Sequence, residues 1–299
     1  MGRQQHGPDS AAGTSGSLDT RLAVAYDPAT SPADLFALAS DPSAAVRKAV
    51  AARADAPAEA LRPLARDYDR DVREAVARNP STSQGNLLRL VKDNDRWVRW
   101  AVAGNPGIDE QVRRAMAKAT DKELRGLLAE LPDLEPDLAA ALIGDASPEV
   151  RERLAAHTHD PEVITAMMAD RTVRVRKGLA RNRQTDAAQR HTLSQDPAPD
   201  VRSTLVRSLD LDEADLRRLV DDRSAEVRRS VATSTLVPPH IRAALQEDPD
   251  ESVAADARTF RDPQPATPSP SRPTPPSRPA HKGPRRFVTG RGRQGNDGR

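Results

Sequence analysis

The sequence has no cysteine in its 299 residues, only 2% aromatic residues, and no long apolar run. Without cysteine the chain cannot form disulfides, thiolate metal sites, cysteine nucleophiles or cysteine-held iron–sulfur clusters. No stretch approaches the roughly 20 apolar residues that cross a bilayer, and the first residues lack the apolar segment of a secretory signal. These absences predict a soluble cytoplasmic protein. Its core should be thin and built from short side chains.

Charge is distributed unevenly along the chain, although the net charge is only +2. Residues 264–299 contain eight Lys or Arg and one Asp, which leaves residues 1–263 with a net charge of −5. The basic character therefore belongs to the C-terminal segment. The rest of the chain is mildly acidic, which argues against a protein that clamps nucleic acid along its whole length.

An arginine recurs along most of the chain with a period of 26 residues and one step of 25. Valine or leucine stands three residues after each of these arginines, and leucine or methionine stands seventeen residues after. Such strict periodicity indicates a repeat protein in which each unit contacts its neighbours. The nine arginines are Arg21, Arg47, Arg73, Arg99, Arg125, Arg151, Arg176, Arg202 and Arg228.

Each unit has room for two short helices, of which helix B carries the arginine. Asp41-Pro42 predicts that one B helix begins at the proline, with the aspartate as its cap, and covers about residues 42–52. Asn79-Pro80 predicts a helix end at which the asparagine adopts the left-handed conformation and the proline stops the helix.

Helix A follows helix B in each unit. Ser31-Pro32 marks one helix start, and the Leu35 and Leu38 pair is predicted to point inward. Isolated helices shorter than ~12 residues are marginal in water. A single unit should therefore not fold alone, and the stability of the array should be a sum over neighbouring units.

The predicted architecture is an all-α solenoid of about nine two-helix repeats plus a terminal helix. Residues 18–260 form the array, residues 1–17 form a disordered leader, and residues 261–299 form a disordered tail that is proline-rich and then basic with Arg and Gly. The unit around Arg125 is the irregular one. Ala119 replaces the usual aspartate there and Gly126 lies within helix B, so we expect a bend or looser packing.

The phrase Val-Arg-x-x-Val-Ala-x-Asn-Pro over residues 72–80, followed by Leu87, Leu90 and Asp93, resembles the bacterial leucine-rich repeat variant family. The resemblance implies short helical repeats stacked into a right-handed superhelix. Some members hold an iron–sulfur cluster through cysteines, a property that a chain without cysteine does not share. The aspartate six residues before the arginine also resembles the HEAT-repeat signature, which implies an intramolecular ladder between units.

The repeated arginines allow two interpretations, a structural ladder with aspartate or a comb that binds phosphates. The ladder is favoured, because a phosphate comb needs no aspartate at a fixed offset. The predicted ladder residues are Asp41, Arg47, Asp67, Arg73, Asp93, Arg99, Asp145, Arg151, Asp170, Arg176, Asp196, Arg202, Asp222 and Arg228.

Partner contacts are predicted at variable helix B positions in the middle units. The predicted residues are Arg70, Arg78, Arg96, Trp97 and Trp100, because exposed tryptophan beside arginine is typical of binding hot spots. Trp97 is equally compatible with packing between units, and Trp100 is expected to be exposed. The leading hypothesis is a scaffold or adaptor, without catalysis, cofactor or metal, that binds a protein or peptide.

Two alternatives remain open. One is nucleic-acid binding through the basic tail and the Arg/Trp face, since arginine and tryptophan also suit phosphate contact and base stacking. The other is an enzyme with a metal at His157 and His159, although a closed site usually needs more ligands than this turn offers.

Overall fold

In a computed structural model, the described residues are 16–131 and 133–261, and within these ranges the chain is helical with no strand. The B helices are α1 (Leu18–Tyr26), α3 (Ala44–Ala52), α5 (Arg70–Arg78), α7 (Arg96–Ala103), α9 (Lys122–Ala129), α11 (Pro148–His157), α13 (Val173–Leu179), α15 (Pro199–Ser208), α17 (Ala225–Thr233) and α19 (Glu251–Thr259). The A helices are α2 (Pro32–Leu38), α4 (Ala58–Leu64), α6 (Gln84–Leu90), α8 (Glu110–Ala117), α10 (Pro136–Ile143), α12 (Pro161–Met167), α14 (Ala187–Ser194), α16 (Glu213–Val220) and α18 (Pro239–Ala243), the last followed by a 3₁₀ turn (Ala244–Glu247).

The helices form two layers. Each B helix packs against the B helices before and after it, and each A helix packs against the B helix that follows it. The prediction of an all-α solenoid with a terminal helix is therefore confirmed. No helix in the described part of the chain combines the length and the apolar character of a membrane span. Most of the predicted leader and all of the tail after residue 261 lie outside the described residues.

The core lies between the two layers, along the predicted apolar columns. The valine and leucine column of the B helices and the leucine and methionine column of the A helices are buried, apart from the partly buried Val24 and Met168. Leu35 and Leu38 point inward as expected, with exposed fractions of 1% and 0%. The buried residues form two clusters, one from Ala25 to Leu209 and one from Val206 to Ala257, and the partly buried Leu211 packs against both. Within each cluster, each helix is stabilised by its neighbours.

The B helices begin two residues later than the Asp-Pro signal indicates. Helix α3 begins at Ala44 with Ser43 as its N-cap residue, and the Asp41 carboxylate accepts from the Ser43 backbone N–H at 2.8 Å. Pro42 therefore lies in the turn before the helix. The prediction that the proline occupies the first helical position is wrong, because the aspartate shapes the turn and does not cap the helix.

The ends of the B helices also differ from expectation. Asn79 follows α5 with φ −72° and ψ 124°, an extended conformation. The only residue with a positive φ in the described part of the chain is Gly16. The left-handed asparagine predicted before Pro80 is therefore wrong, and the asparagine has another role, which its side-chain bonds reveal.

Candidate functional site

The repeated arginines join each unit to the next through hydrogen-bonded ion pairs. Arg47 is buried, and its Nε and Nη2 atoms donate to the two carboxylate oxygens of Asp67 at 2.6 and 2.9 Å. Its Nη1 atom donates to the Asp41 carbonyl at 2.8 Å. Each arginine thus binds the carboxylate of the following unit and a carbonyl of its own unit. We call this set of contacts the arginine–aspartate ladder.

The same contact recurs in every unit, with closest N–O distances of 2.6 to 2.7 Å. The pairs are Arg21–Asp41, Arg47–Asp67, Arg73–Asp93, Arg99–Asp121, Arg125–Asp145, Arg151–Asp170, Arg176–Asp196, Arg202–Asp222 and Arg228–Asp248. These guanidinium groups are occupied by carboxylates, so they do not form a row of free phosphate-binding groups.

The irregular unit keeps its ladder contact through a shifted residue. Asp121, two residues after Ala119, accepts from Arg99 at 2.6 and 3.0 Å, while the Ala119 carbonyl accepts from Arg125 at 2.7 Å. A Cβ atom at Gly126 would lie 2.8 Å from Nη1 of Arg153, so a larger residue there would require the flexible Arg153 side chain to move. The missing aspartate is thus replaced, and a bend at this unit stays a prediction.

Seven ladder carboxylates have a lowered pKa, which favours their ionised form. Burial opposes ionisation of Asp67, but hydrogen bonds from Arg47 and from the Asp69 backbone N–H outweigh it, and the pKa of Asp67 lies below its usual value. The pKa of Asp93 is lowered in the same way, by Arg73 against the effect of burial. The ladder therefore consists of charged, bidentate pairs, which are the strongest class of side-chain hydrogen bond.

Buried asparagines form a second set of contacts between units, which the sequence reasoning missed. The Asn79 Nδ2 atom donates to the carbonyls of Ala51 and Arg53 at 2.7 and 2.6 Å. Asn105 repeats the contact one unit later, to Ala77 and Asn79 at 2.7 and 2.8 Å. The recurring Asn-Pro was visible in the sequence. Its bonds were not, because the acceptors lie 26 and 28 residues away.

Arg96, Trp97 and Trp100 form a single cluster on helix α7. The two indole rings meet edge to face, with centroids 5.0 Å apart and an interplanar angle of 76°. The Arg96 guanidinium lies over both rings, 5.0 Å from the Trp97 centroid and 5.5 Å from that of Trp100. Within the described residues Arg96 has no carboxylate partner. The three predicted residues are therefore in contact, as an aromatic pair with a cation above it.

The two tryptophans differ in exposure, and Trp97 is the more exposed one, although the sequence suggested Trp100. Trp97 is 43% exposed, whereas Trp100 packs partly buried against the core. The expectation of an exposed Trp100 is wrong. Trp100, one residue after the ladder arginine, packs against the core, whereas Trp97, in the first turn of α7, is exposed.

Arg70 and Arg78 lie on helix α5, one unit before the tryptophans. They line a groove of about 540 Å³ together with Lys48, Asp71 and Glu74. Arg78 pairs with Glu74 at 2.8 Å, and Arg70 lies 3.2 Å from Asp71. The groove therefore has mixed charge and lies between helices α3 and α5.

The histidine turn after α11 does not gather metal ligands. His157 is exposed and its Nδ1 atom lies 2.9 Å from the Arg153 carbonyl of its own helix. His159 lies 3.9 Å from Asp133. Residues 16–131 and 133–261 contain no group of three or more His, Asp or Glu that is placed to hold a metal ion.

One cluster around a buried carboxylate has the residue types of a catalytic site without the geometry. Asp215 is 2% exposed and lies 2.8 Å from His191 Nδ1. It also accepts from Ser194 Oγ at 3.1 Å and from Arg218 at 3.0 Å. The hydroxyl is bound to the carboxylate and is itself buried, so the histidine does not activate it as a nucleophile. The cluster joins α14 to α16.

The repeat is similar to that of a known protein family. Residues 44–69, which run from the start of helix α3 to Asp69, the N-cap residue of α5, match the model of the leucine rich repeat variant family. The resemblance to this family is confirmed. The matched segment contains Arg47 and Asp67, so it includes one complete step of the ladder.

Solved structures with helical repeats also match this chain. A leucine-rich repeat variant with a novel repetitive structural motif shares 23% identity, over 85% of this chain and 90% of its own, with a TM-score of 0.48. A designed armadillo repeat protein shares 18% identity, over 76% of this chain and 96% of its own, with a TM-score of 0.22. No curated protein matches the sequence significantly. The family match concerns the repeat and assigns no function to the site residues.

Proposed function

We propose that the helical array is a non-catalytic scaffold that binds a protein or peptide partner through the outer face of helices α3, α5 and α7. The observation that supports this is the exposed Trp97, with Arg96 stacked on it. Tryptophan and arginine carry much of the binding energy in protein interfaces. The expected partner presents an apolar or aromatic side chain to Trp97 and a carboxylate to Arg96.

Trp97 is held in place before any partner binds. Its ring rests edge-on against Trp100, which is itself packed against the core. A side chain that is already fixed loses little conformational entropy on binding, so more of its contact energy appears as affinity. Trp100 therefore supports the site, and Trp97 and Arg96 make the contact.

The neighbouring groove extends the surface across two more units. Lys48 on α3 and Glu74 on α5 occupy the repeat position that Trp100 occupies on α7, and both line the groove with Arg70 and Arg78. The groove side chains are exposed or half-buried, so a partner displaces water and not core residues. An extended peptide crossing α3, α5 and α7 would meet mixed charge first and the aromatic pair last.

A matched pair of substitutions tests this proposal. Peptides that bind the full chain are selected from a displayed random library, and their affinity is measured for the unchanged protein, for Trp97→Ala and for Phe36→Ala. Phe36 is an exposed aromatic residue on an A helix. Loss of a hot-spot tryptophan should raise the Kd at least about tenfold, and Phe36→Ala should leave it unchanged. Equal affinity for all three proteins would remove Trp97 from the site.

Nucleic-acid binding is the second candidate, favoured by the +7 charge of residues 264–299. Contacts of this kind weaken steeply as salt is added. Titration of duplex and single-stranded DNA against salt, with and without residues 264–299, tests it. Binding that disappears with those residues would assign nucleic acid to the tail, and no binding by either protein would eliminate this function.

A further inference from the structure

A row of cations lies at the ends of three successive A helices. The position seven residues before the ladder arginine holds Arg66, Lys92 and Lys118 in consecutive units. All three side chains are exposed, and none forms an ion pair or side-chain hydrogen bond with any described residue. We call them the cation row. The same position in the other units holds Ser40, Gly144, Ala169, Gln195, Asp221 and Glu247.

The cation row lies in a continuous series of grooves. Three neighbouring grooves of about 430, 610 and 940 Å³ follow one another along this edge. Arg66 lines the first and the second groove, and Lys92 lines the second and the third. Arg62 and Arg89 add two further exposed cations to the first two grooves. The edge is therefore one surface that crosses three units.

The carboxylates in these grooves do not neutralise the row. Asp67, Asp93 and Asp121 are each held by a ladder arginine, with closest distances of 2.6 to 2.7 Å. Glu59, in the first groove, is the remaining carboxylate among the lining residues. Five exposed cations thus face a single free carboxylate. Cations near helix C-termini are favoured by the helix dipole, but the row is confined to three adjacent units and leaves a strongly positive surface.

The spacing of the row selects the shape of its ligand. The spacing of the units is set by their B helices, which pack successively. Packed helices lie about 8–10 Å apart, and an extended chain advances about 3.3 Å per residue. An extended segment with a carboxylate at every third residue would therefore match one cation in each unit. Three units correspond to a segment of about seven to nine residues.

The surroundings of the row favour a protein segment over nucleic acid. Farther along the array the same position holds Asp221 and Glu247, which would repel a longer polyanion. Tyr68, which is 80% exposed, is the one aromatic side chain among the described residues that line these grooves, so successive bases would find little to stack on. We propose that this edge binds a short, extended acidic segment of a partner protein, in addition to the B-helix surface.

Zero-length cross-linking tests the location. The full chain is mixed with the peptide (Glu-Ser-Gly)₃ and treated with a carbodiimide, which joins carboxylates to lysine amines. The six lysines of the chain serve as reporters, since Lys92 and Lys118 lie in the row and Lys48, Lys122, Lys177 and Lys282 lie elsewhere. Adducts concentrated at Lys92 and Lys118 are expected. Adducts spread evenly over the six, or confined to Lys282, would overturn the proposal.

Affinity measurements test the contribution of charge at this edge. The variant R66Q/K92Q/K118Q should bind the labelled peptide roughly tenfold more weakly at low salt, because each exposed ion pair contributes modestly. The control R171Q/R183Q/R217Q removes the same charge from exposed sites in other units and should bind as the unchanged protein does. A peptide with the three glutamates adjacent should bind more weakly than the spaced one.

Three results would contradict the proposal. The first is an equal Kd for the row variant and the unchanged protein. The second is an equal loss of affinity in the control variant. The third is a single-stranded DNA nonamer that binds more tightly than the peptide through the same three cations. The last result would assign the row to nucleic acid. Because Trp97→Ala leaves the row intact, failure of the B-helix proposal and failure of this one are distinguishable.

Discussion

Substitution of Arg47 by methionine is expected to uncouple two adjacent units. Methionine keeps much of the aliphatic length of arginine but removes all of its donors. The bidentate bonds to Asp67 and the bond to the Asp41 carbonyl are lost. Both side chains of the ion pair are only 6% exposed, so water reaches the abandoned carboxylate poorly.

The expected cost is about 3 kcal/mol. Removal of one member of a buried ion pair costs roughly 3–5 kcal/mol, because the other charge stays buried without compensation. The lower end applies here, since Asp67 still accepts from the Asp69 backbone N–H at 2.8 Å. The next residue provides the control. Lys48 pairs with Asp71 at 3.4 Å, with side chains 53% and 46% exposed, and Lys48→Met should cost less than about 0.5 kcal/mol.

Hydrogen exchange of the α5 amides measures the effect locally. Repeat arrays open in parts, so a single global unfolding free energy is not the right quantity. A loss of about 3 kcal/mol corresponds to roughly a hundredfold faster exchange. The two variants lose the same charge from neighbouring residues. If Arg47→Met and Lys48→Met accelerated exchange equally, the ladder would not be what couples the units.

Three further predictions concern the whole array. Seven ladder carboxylates have lowered pKa values, namely Asp67, Asp93, Asp121, Asp145, Asp170, Asp222 and Asp248. Their contribution to stability is full above pH ~4 and is lost as the pH falls through the depressed folded value. Urea midpoints between pH 6 and 3 should show that loss, and a constant midpoint would refute it. Gly178→Ala should destabilise the array, because its Cβ would lie 2.7 Å from a backbone carbonyl oxygen. Gly85→Ala has nothing within 4 Å of its Cβ and should stabilise the array by about 0.5–1 kcal/mol. The melting temperatures of the two variants should therefore shift in opposite directions. Asn105→Ala removes three hydrogen bonds from a residue that is only 2% exposed. It should lower the free energy of unfolding by about 2–3 kcal/mol. Asn94 is exposed, so Asn94→Ala should lower it very little in the same urea titration.

The periodic columns could be predicted from the sequence because burial repeats with the unit. The Val50 and Leu64 columns, the two-helix unit and the terminal helix all follow from spacing and apolar character. The start of α3 could not be placed, because Asp41-Pro42 suits both a helix cap and a preceding turn, and the contact of Asp41 with Arg21 of the preceding unit is visible only in the structure. The outward direction of Trp97 depends likewise on the rotation of α7 within the stack.

The two sets of contacts between units leave the remaining positions free to carry the residues that we propose bind a partner. The arginine–aspartate ladder satisfies the backbone at the start of each B helix, and the asparagines satisfy it at the end in several units. The side chains that stabilise the array are therefore those that connect one unit to the next. The outward positions of the B helices, occupied by Arg96 and Trp97, and the A-helix ends, occupied by Lys92 and Lys118, contribute little to it. Their chemistry can differ from unit to unit without loss of the fold, which is what a binding scaffold requires.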